Sequence, residues 1–450
     1  MLYRILKWLF YPTVKGYFRS LHVEGRSNIP ESGPLIFVAN HNSAFMDPIV
    51  LAVHIRQSVY FLARGEAFKS KLASWIFGFL NMIPVYRPEI SPDEMHKNKM
   101  VFKRCFDHLK KEKTILIFPE GYSETVRTLR QLKTGTARIA LGAEDYNDFN
   151  LNLQIVPIGI NYSDPHSFRS DVYVNFGSPI EVGQYESNYL DNEKDAVLKL
   201  TNEIEERLEE LLLIVEDEKL GKLITQVDTL MRNEKGLKQN TGGRERESFS
   251  LSKRITIAMA SLKEKHPQRL IDFRRKIKDY FKDLGRLGIK DAQIRRPGKR
   301  PNLLVAVLYM ILGAPVFIYG FLVNVLPFFT VRLMSANIRV REDFVGSLKL
   351  ALGAFIFLIF YVVEMIVFAS FFNWYWAILF VMSLYPAGLF TINFIKNYYK
   401  FRSSLRFTRL LRKGNDLLTD LQMRRERLIA DLEKSNELYS LDVNDHHHRN

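Results

Sequence analysis

The sequence predicts an α/β domain, a mixed sheet covered by helices, followed by a charged helical segment and a C-terminal helical membrane region. Three observations carry that prediction. Between about Leu35 and Pro179, short apolar runs (LIFVAN, SVYFLAR, TILIFPE, LQIVPIGINY, DVYVNFG) alternate with longer stretches of helical period, the pattern of strands separated by helices. From about Asp191 to Lys290 the text is charged, with Leu, Ile and Val recurring at three- and four-residue steps and no strand signal. Asn302 to Phe329, Leu348 to Phe372 and Trp376 to Phe394 are almost wholly apolar, and each approaches or exceeds the roughly 20 residues that span a bilayer. The expected divisions are 1–20, 21–190, 191–300, 301–395 and 396–450, with a further break at Gln239-Asn-Thr-Gly-Gly243.

The N-terminal stretch MLYRILKWLFYPTVKGYFRS has Arg4, Lys7, Lys15 and Arg19 among its apolar residues, too frequent for a secretory signal or a spanning helix. It reads as an amphipathic helix lying in a membrane interface, with a core-packing first helix as the other reading. A formal charge of +15 suits anionic partners. The basic segment from Arg274 to Arg300 adjoins an apolar span, so anionic phospholipids are the expected partner rather than nucleic acid. The single cysteine, Cys105, excludes a disulfide framework and a multi-cysteine zinc site.

Basic residues retained on the cytoplasmic side set the expected topology. Arg295, Arg296, Lys299 and Arg300 precede the first apolar segment, Arg332, Arg339 and Arg341 follow it, and Lys396, Lys400, Arg402, Arg406 and Arg409 follow the last. Three simple spans would put one of these groups outside. The pattern favours a hairpin of the last two segments, turning at the uncharged Asn373-Trp-Tyr-Trp376. The first segment would then be re-entrant, bending near Gly313, Pro315 and Pro327, with the catalytic domain of this integral membrane protein on the cytoplasmic face. Glu364, inside the second segment, is either functional or protonated and paired within the hairpin.

The chemistry starts at ANHNSAFMDP, Ala39 to Pro48, where His41 and Asp47 follow a strand at its end. A histidine suits proton abstraction from an alcohol, and a carboxylate on its other ring nitrogen fixes the tautomer and stabilises the imidazolium. On one continuous helix, six residues rotate by about 600°, leaving the two side chains about 120° apart. His41 must therefore sit on the turn, ahead of a helix opening near Asp47 and Pro48. A capping turn that contains a histidine is the plainer reading of this pair alone. Phe118-Pro-Glu-Gly-Tyr-Ser-Glu124 again follows an apolar strand, and Leu132-Lys-Thr-Gly135 opens the next helical run. A glycine there lets backbone amides approach a phosphate, with Arg127, Arg130 and Lys133 nearby.

Two further blocks come in order, Gly78-Phe-Leu-Asn-Met-Ile-Pro-Val-Tyr-Arg87 and Ile155-Val-Pro-Ile-Gly-Ile-Asn-Tyr162. Together the four resemble the glycerolipid acyltransferase superfamily over roughly residues 30 to 180, and most closely the larger fungal-type glycerol-3-phosphate/dihydroxyacetone-phosphate acyltransferases. The resemblance implies that His41 is a general base oriented by Asp47. It implies that Arg87, Glu120 and Gly121 bind the acceptor's phosphate and glycerol, with Ser123 and Lys133 as further contacts, and that Pro157 shapes the acyl-donor side. Two departures stand out. Five residues separate His41 from Asp47 where four are usual, and Tyr122 and Ser123 stand where threonine and arginine are common, so Arg127, Arg130 or Lys133 must supply a phosphate contact. His166 and Arg169 are either extra anionic contacts or structural.

The implied activity is transfer of a fatty acyl group from an acyl thioester, acyl-CoA or acyl carrier protein, to a hydroxyl of glycerol 3-phosphate or 1-acylglycerol 3-phosphate. This is a step of phospholipid biosynthesis that needs no cofactor and no metal. The absence of a Gly-x-Ser-x-Gly elbow favours direct transfer over an acyl-enzyme. The alternatives are another acceptor, such as dihydroxyacetone phosphate or an amino-acid lipid, and an inactive lipid-binding membrane scaffold.

Overall fold

The apolar runs pair into a single eight-stranded sheet. The computed structural model describes residues 2–68, 70–86, 92–215, 218–236, 245–295, 303–412 and 416–447. Arg87, the expected break at 239–243, and the flanking Arg296, Lys299 and Arg300 lie outside the described residues. The strands are β1 (Ser20–Glu24), β2 (Leu35–Ala39), β3 (Val59–Arg64), β4 (Met82–Val85), β5 (Thr114–Ile117), β6 (Gln154–Tyr162), β7 (Asp171–Phe176) and β8 (Ile180–Glu181). Their order is β1-β7-β6-β2-β5-β3-β4, with β8 against the start of β6. β6, β2, β5, β3 and β4 are parallel, and β7 turns back antiparallel to β6 and carries β1 beside it. The sequence reading lacks β1. Ser20, His22 and Glu24 interrupt its apolar pattern, and this edge strand is tied down by long-range pairing with β7.

β2 is buried at all five positions because both sheet faces are covered. Leu35, Phe37 and Ala39 point into one apolar layer, and Ile36 and Val38 into the other. The first layer is closed by α1 (Leu2–Tyr17) and α2 (Met46–His54). The second is closed by α4 (Asn98–Lys110) and α5 (Gly135–Asp145), which follow α3 (Lys71–Phe79), and by α7 (Glu193–Leu211), which follows α6 (Glu186–Asp191). α1 belongs to this core through Phe10, Val14 and Tyr17, while Trp8, 80% exposed, and Ile5 lie on its other side. Of the two readings of this stretch, these contacts match the core-packing helix.

The chain divides into two units: Met1–Ile214 with Val331–Ile356, and Val215–Thr330 with Phe357–Asn450. The first boundary thus falls after α7 rather than at 191. Ala196, Val197, Leu200, Ile204 and Leu208, one helix face, are buried on the sheet, which claims α7 for the first unit.

In the second unit, α8 (Glu218–Lys235), α9 (Glu245–Lys265), α10 (Pro267–Leu287) and α11 (Asp291–Arg295) share a core with α15 (Asp416–His447). Arg425, buried on α15, bonds Asp291 at 3.0 Å and Glu234 at 2.7 Å, and the Tyr280 hydroxyl donates to Asp291 at 2.6 Å. α12 (Leu303–Asn337), α13 (Glu342–Phe371) and α14 (Trp374–Arg412) are each long and apolar enough to cross a membrane. α12 stays helical through Pro315 and Pro327, the positions where a bend is expected. In an apolar setting the backbone has few partners but itself, so helical bonding resumes on both sides of each proline.

Candidate active site

The site starts where β2 stops. Asn40 spends its side chain on Ile160, accepting from its amide at 2.7 Å and donating to its carbonyl at 3.0 Å, which continues the β2–β6 pairing in side-chain form. His41 to Phe45 then turn, and α2 begins at Met46 with Asp47 in its first turn and Pro48 where a missing amide costs nothing.

His41 Nδ1 lies 2.9 Å from Asp47 Oδ2. Asp47 is fully buried and takes two further donors, the Ser43 amide on Oδ2 at 2.8 Å and the Tyr162 hydroxyl on Oδ1 at 2.8 Å. Burial, reinforced by Asp47, raises the Tyr162 phenol well above its ordinary range, so it stays protonated and donates. The His41 ring stacks on Phe118, centroids 4.1 Å apart, and its side chain keeps 15% exposure. With a carboxylate on Nδ1, that nitrogen carries the proton and Nε2 is left as a hydrogen-bond acceptor. Nε2 has no hydrogen-bond partner among the described residues.

The loop after β5 supplies the second wall. Gly121 turns it with φ +81, a left-handed conformation suited to glycine. Glu120 is 1% exposed, and both its oxygens are used, one by the His41 amide at 2.6 Å and one by Arg130 Nε at 2.5 Å. Burial raises the Glu120 carboxyl, against the pull of Arg130 and of the His41 amide. Arg130 also donates to the Tyr122 carbonyl at 2.5 Å and the His41 carbonyl at 3.3 Å, and its guanidinium lies 4.1 Å from the Tyr122 ring centre. Lys133, at the surface, donates its amide to the Pro119 carbonyl at 2.8 Å, two residues before α5.

His41, Asp47, Glu120, Gly121, Ser123 and Lys133 thus gather around one end of the sheet. Glu120 is buried as the partner of Arg130 and of the His41 backbone, and Ser123, 5% exposed, donates to the Asp343 carboxylate. Pro157 is buried opposite Val38 in the sheet, its carbonyl accepting the Gly177 amide at 2.8 Å. Arg169 is structural, donating to the carbonyls of Gly16 and Phe18 at 3.2 and 3.0 Å. Sequence reasoning missed Tyr162 as an Asp47 partner, although its alternation with Ile158 and Ile160 marks the same face of β6. It had no local signal for Asp343 and Ser347, some 300 residues away in the chain.

Residues 20–161 match the Acyltransferase family model. The chain is 26% identical over 304 residues to glycerol-3-phosphate O-acyltransferase 1 of Saccharomyces cerevisiae, covering 48% of this chain and 40% of that protein. It is 29% identical over 202 residues to glycerol-3-phosphate O-acyltransferase 2 of the same yeast, covering 44% and 26%. It is also 29% identical over 126 residues to a chloroplastic 1-acyl-sn-glycerol-3-phosphate acyltransferase of Arabidopsis thaliana, covering 27% and 33%. The chain spans less than half the length of these curated relatives. Residues 20–161 thus match an acyltransferase model and are similar to glycerolipid acyltransferases, the resemblance that the four blocks carry.

Proposed function

We propose that the chain is a membrane-bound O-acyltransferase that moves a fatty acyl group from acyl-CoA or acyl carrier protein to a hydroxyl of glycerol 3-phosphate or 1-acylglycerol 3-phosphate. The observation that carries this reading is the His41–Asp47 bond of 2.9 Å, with Nε2 left unpartnered among the described residues. Nε2 takes the hydroxyl proton as the oxygen attacks the thioester carbonyl carbon. The tetrahedral intermediate collapses with cleavage of the carbon–sulfur bond, and the departing thiolate recovers the proton from the imidazolium. Asp47, held beneath the ring by its two further donors, supports the charged imidazolium. Arg130, held by Glu120, and Lys133 supply positive charge for the acceptor's phosphate, a role shared with Arg87 in the family pattern. The catalytic domain lies on the cytoplasmic face, a reading supported by the basic flanks, which also suit anionic phospholipids.

Acyl transfer by the purified, detergent-solubilised protein tests this, using radiolabelled palmitoyl-CoA or palmitoyl carrier protein. Glycerol 3-phosphate, dihydroxyacetone phosphate and lysophosphatidate serve as acceptors. Product is expected with a glycerol-phosphate acceptor, none with His41→Ala, and a kcat lower by about 100-fold or more with Asp47→Asn. Undiminished transfer by His41→Ala would sink the mechanism, and no product with any pairing would move the weight to another acceptor or to a scaffold.

A further inference from the structure

The start of α13 is built into the catalytic turn. Asp343, Gly346, Ser347, Leu350 and Ala354 form one buried face of this helix, at the steps of a single helical stripe, and belong to the same unit as His41. Leu350 and Ala354 join the apolar layer beneath α1 and α2. Gly346 packs so closely on the Pro165 carbonyl and on Met46 that a Cβ would overlap both. Ser347 is 1% exposed and Asp343 5%, polar residues that a mere membrane anchor has no reason to bury.

What these residues bond explains their burial. α2 has Phe45 as its N-cap, which supplies no side-chain bond to the first amides of the helix. Ser347 Oγ takes that place from another helix, accepting from the Phe45 amide at 3.0 Å and the Met46 amide at 2.9 Å. The Ser43 hydroxyl, on the same turn, lies 3.2 Å from the Asp343 carbonyl and 3.4 Å from Ser347 Oγ. The Asp343 carboxylate accepts from Ser123, on the Glu120 loop, and is held by both arms of Arg341, at 3.1 and 2.7 Å. One helix start therefore fixes both walls of the site, the turn that carries His41 and Asp47 and the loop that carries Glu120.

We propose that Ser347 and Asp343 are positioning residues for the His41–Asp47 pair, so that the catalytic constellation is completed by the first turns of an apolar, candidate membrane-spanning helix. The proposal rests on the reading of His41 as the base. Ser347 sets where α2 begins and hence where Asp47 in its first turn aims its carboxylate. Asp343 keeps the Glu120 loop, and through it the His41 amide, in register with that turn. The extra residue between His41 and Asp47 is accommodated in a turn that is braced from outside.

The test uses the full chain in detergent, with Ser347→Ala and Asp343→Asn made separately. Two readouts are taken: kcat and KM for both substrates, and the rate of diethyl pyrocarbonate modification of individual histidines, resolved by peptide mass spectrometry at fixed pH 6. A misplaced pair is expected to lower kcat by about 10- to 100-fold with both KM values within about twofold. His41, no longer held against Asp47 and Phe118, is expected to become more accessible and react about threefold faster while His108 does not change. A wild-type kcat in either folded variant, or His41 and His108 speeding up together as in general loosening, would overturn the proposal. Asp343→Asn keeps the side-chain volume and carries the test if Ser347→Ala does not fold. If the wild-type protein transfers no acyl group, the reading of the reaction fails by itself, and the histidine labelling still decides whether Ser347 and Asp343 hold the pair.

Discussion

Asp47 shows how much a buried carboxylate depends on what surrounds it. It is fully buried, and its charge is supported by a ring nitrogen, an amide and a phenol rather than by a cation. Tyr162→Phe leaves Oδ1 without a donor, and a loss of about 1–3 kcal/mol in stability is expected from denaturant titration, together with a lower kcat. Glu120 and Arg130 are a different case, a buried ion pair with side-chain exposures of 0% and 15%. Arg130→Ala strands the carboxylate, so a loss of about 3–5 kcal/mol is expected by the same titration, more than the pair contributes as an intact unit. At this scale His41 and Asp47 were legible, because the chemistry needs those residue types after a strand. The tasks of Glu120 and Ser123 were not, because only burial distinguishes a residue that meets a ligand from one that holds its neighbour.

The elements were legible where periodicity is strong and blurred where pairing is made at long range. β2, β3, β5, β6 and β7 stand in the text as apolar runs, whereas β1 needs β7 to exist. α2 has the opposite history, since its sequence offers no cap and its start is fixed by Ser347. α4 carries a test of its own packing. His108 packs at a tilt against Tyr60 of β3, ring centres 4.5 Å apart. Its imidazole is pushed down to about 4, by burial first and then by Lys113, Arg104 and Lys111. The folded state thus keeps His108 neutral where the unfolded chain binds a proton. Its contribution to stability is intact above pH 6.5, the ordinary histidine value, and is lost as pH falls toward about 4. Unfolding midpoints measured across that window are expected to fall with pH in the wild type and to fall less steeply in His108→Phe.

For the whole molecule, connectivity constrains the membrane topology. Among the described residues no candidate span precedes α12, and residues 341–350, just after it, fold into the unit that holds His41. We propose, from the basic flanks, that both ends of α12 lie on one side and that α13 and α14 form a crossing hairpin turned at Asn373. With buried Cys105 replaced by serine, a single cysteine at Asn373 is expected to react with a membrane-impermeant maleimide in sealed vesicles whose cytoplasmic face is inside. One at Arg339 should react only after lysis. The reverse pattern would refute the assigned orientation.

By itself the sequence determined the α/β domain, the apolar helices and the identity of the His41–Asp47 pair. Hydrophobic periodicity and residue chemistry are local properties, readable within a window of a few turns. Only the tertiary structure decided that α7 belongs to the sheet, that Glu120 serves Arg130, and that the catalytic turn is capped by Ser347. Each of these depends on which distant groups share a buried space, where an unpaired donor or charge costs too much to leave unmet.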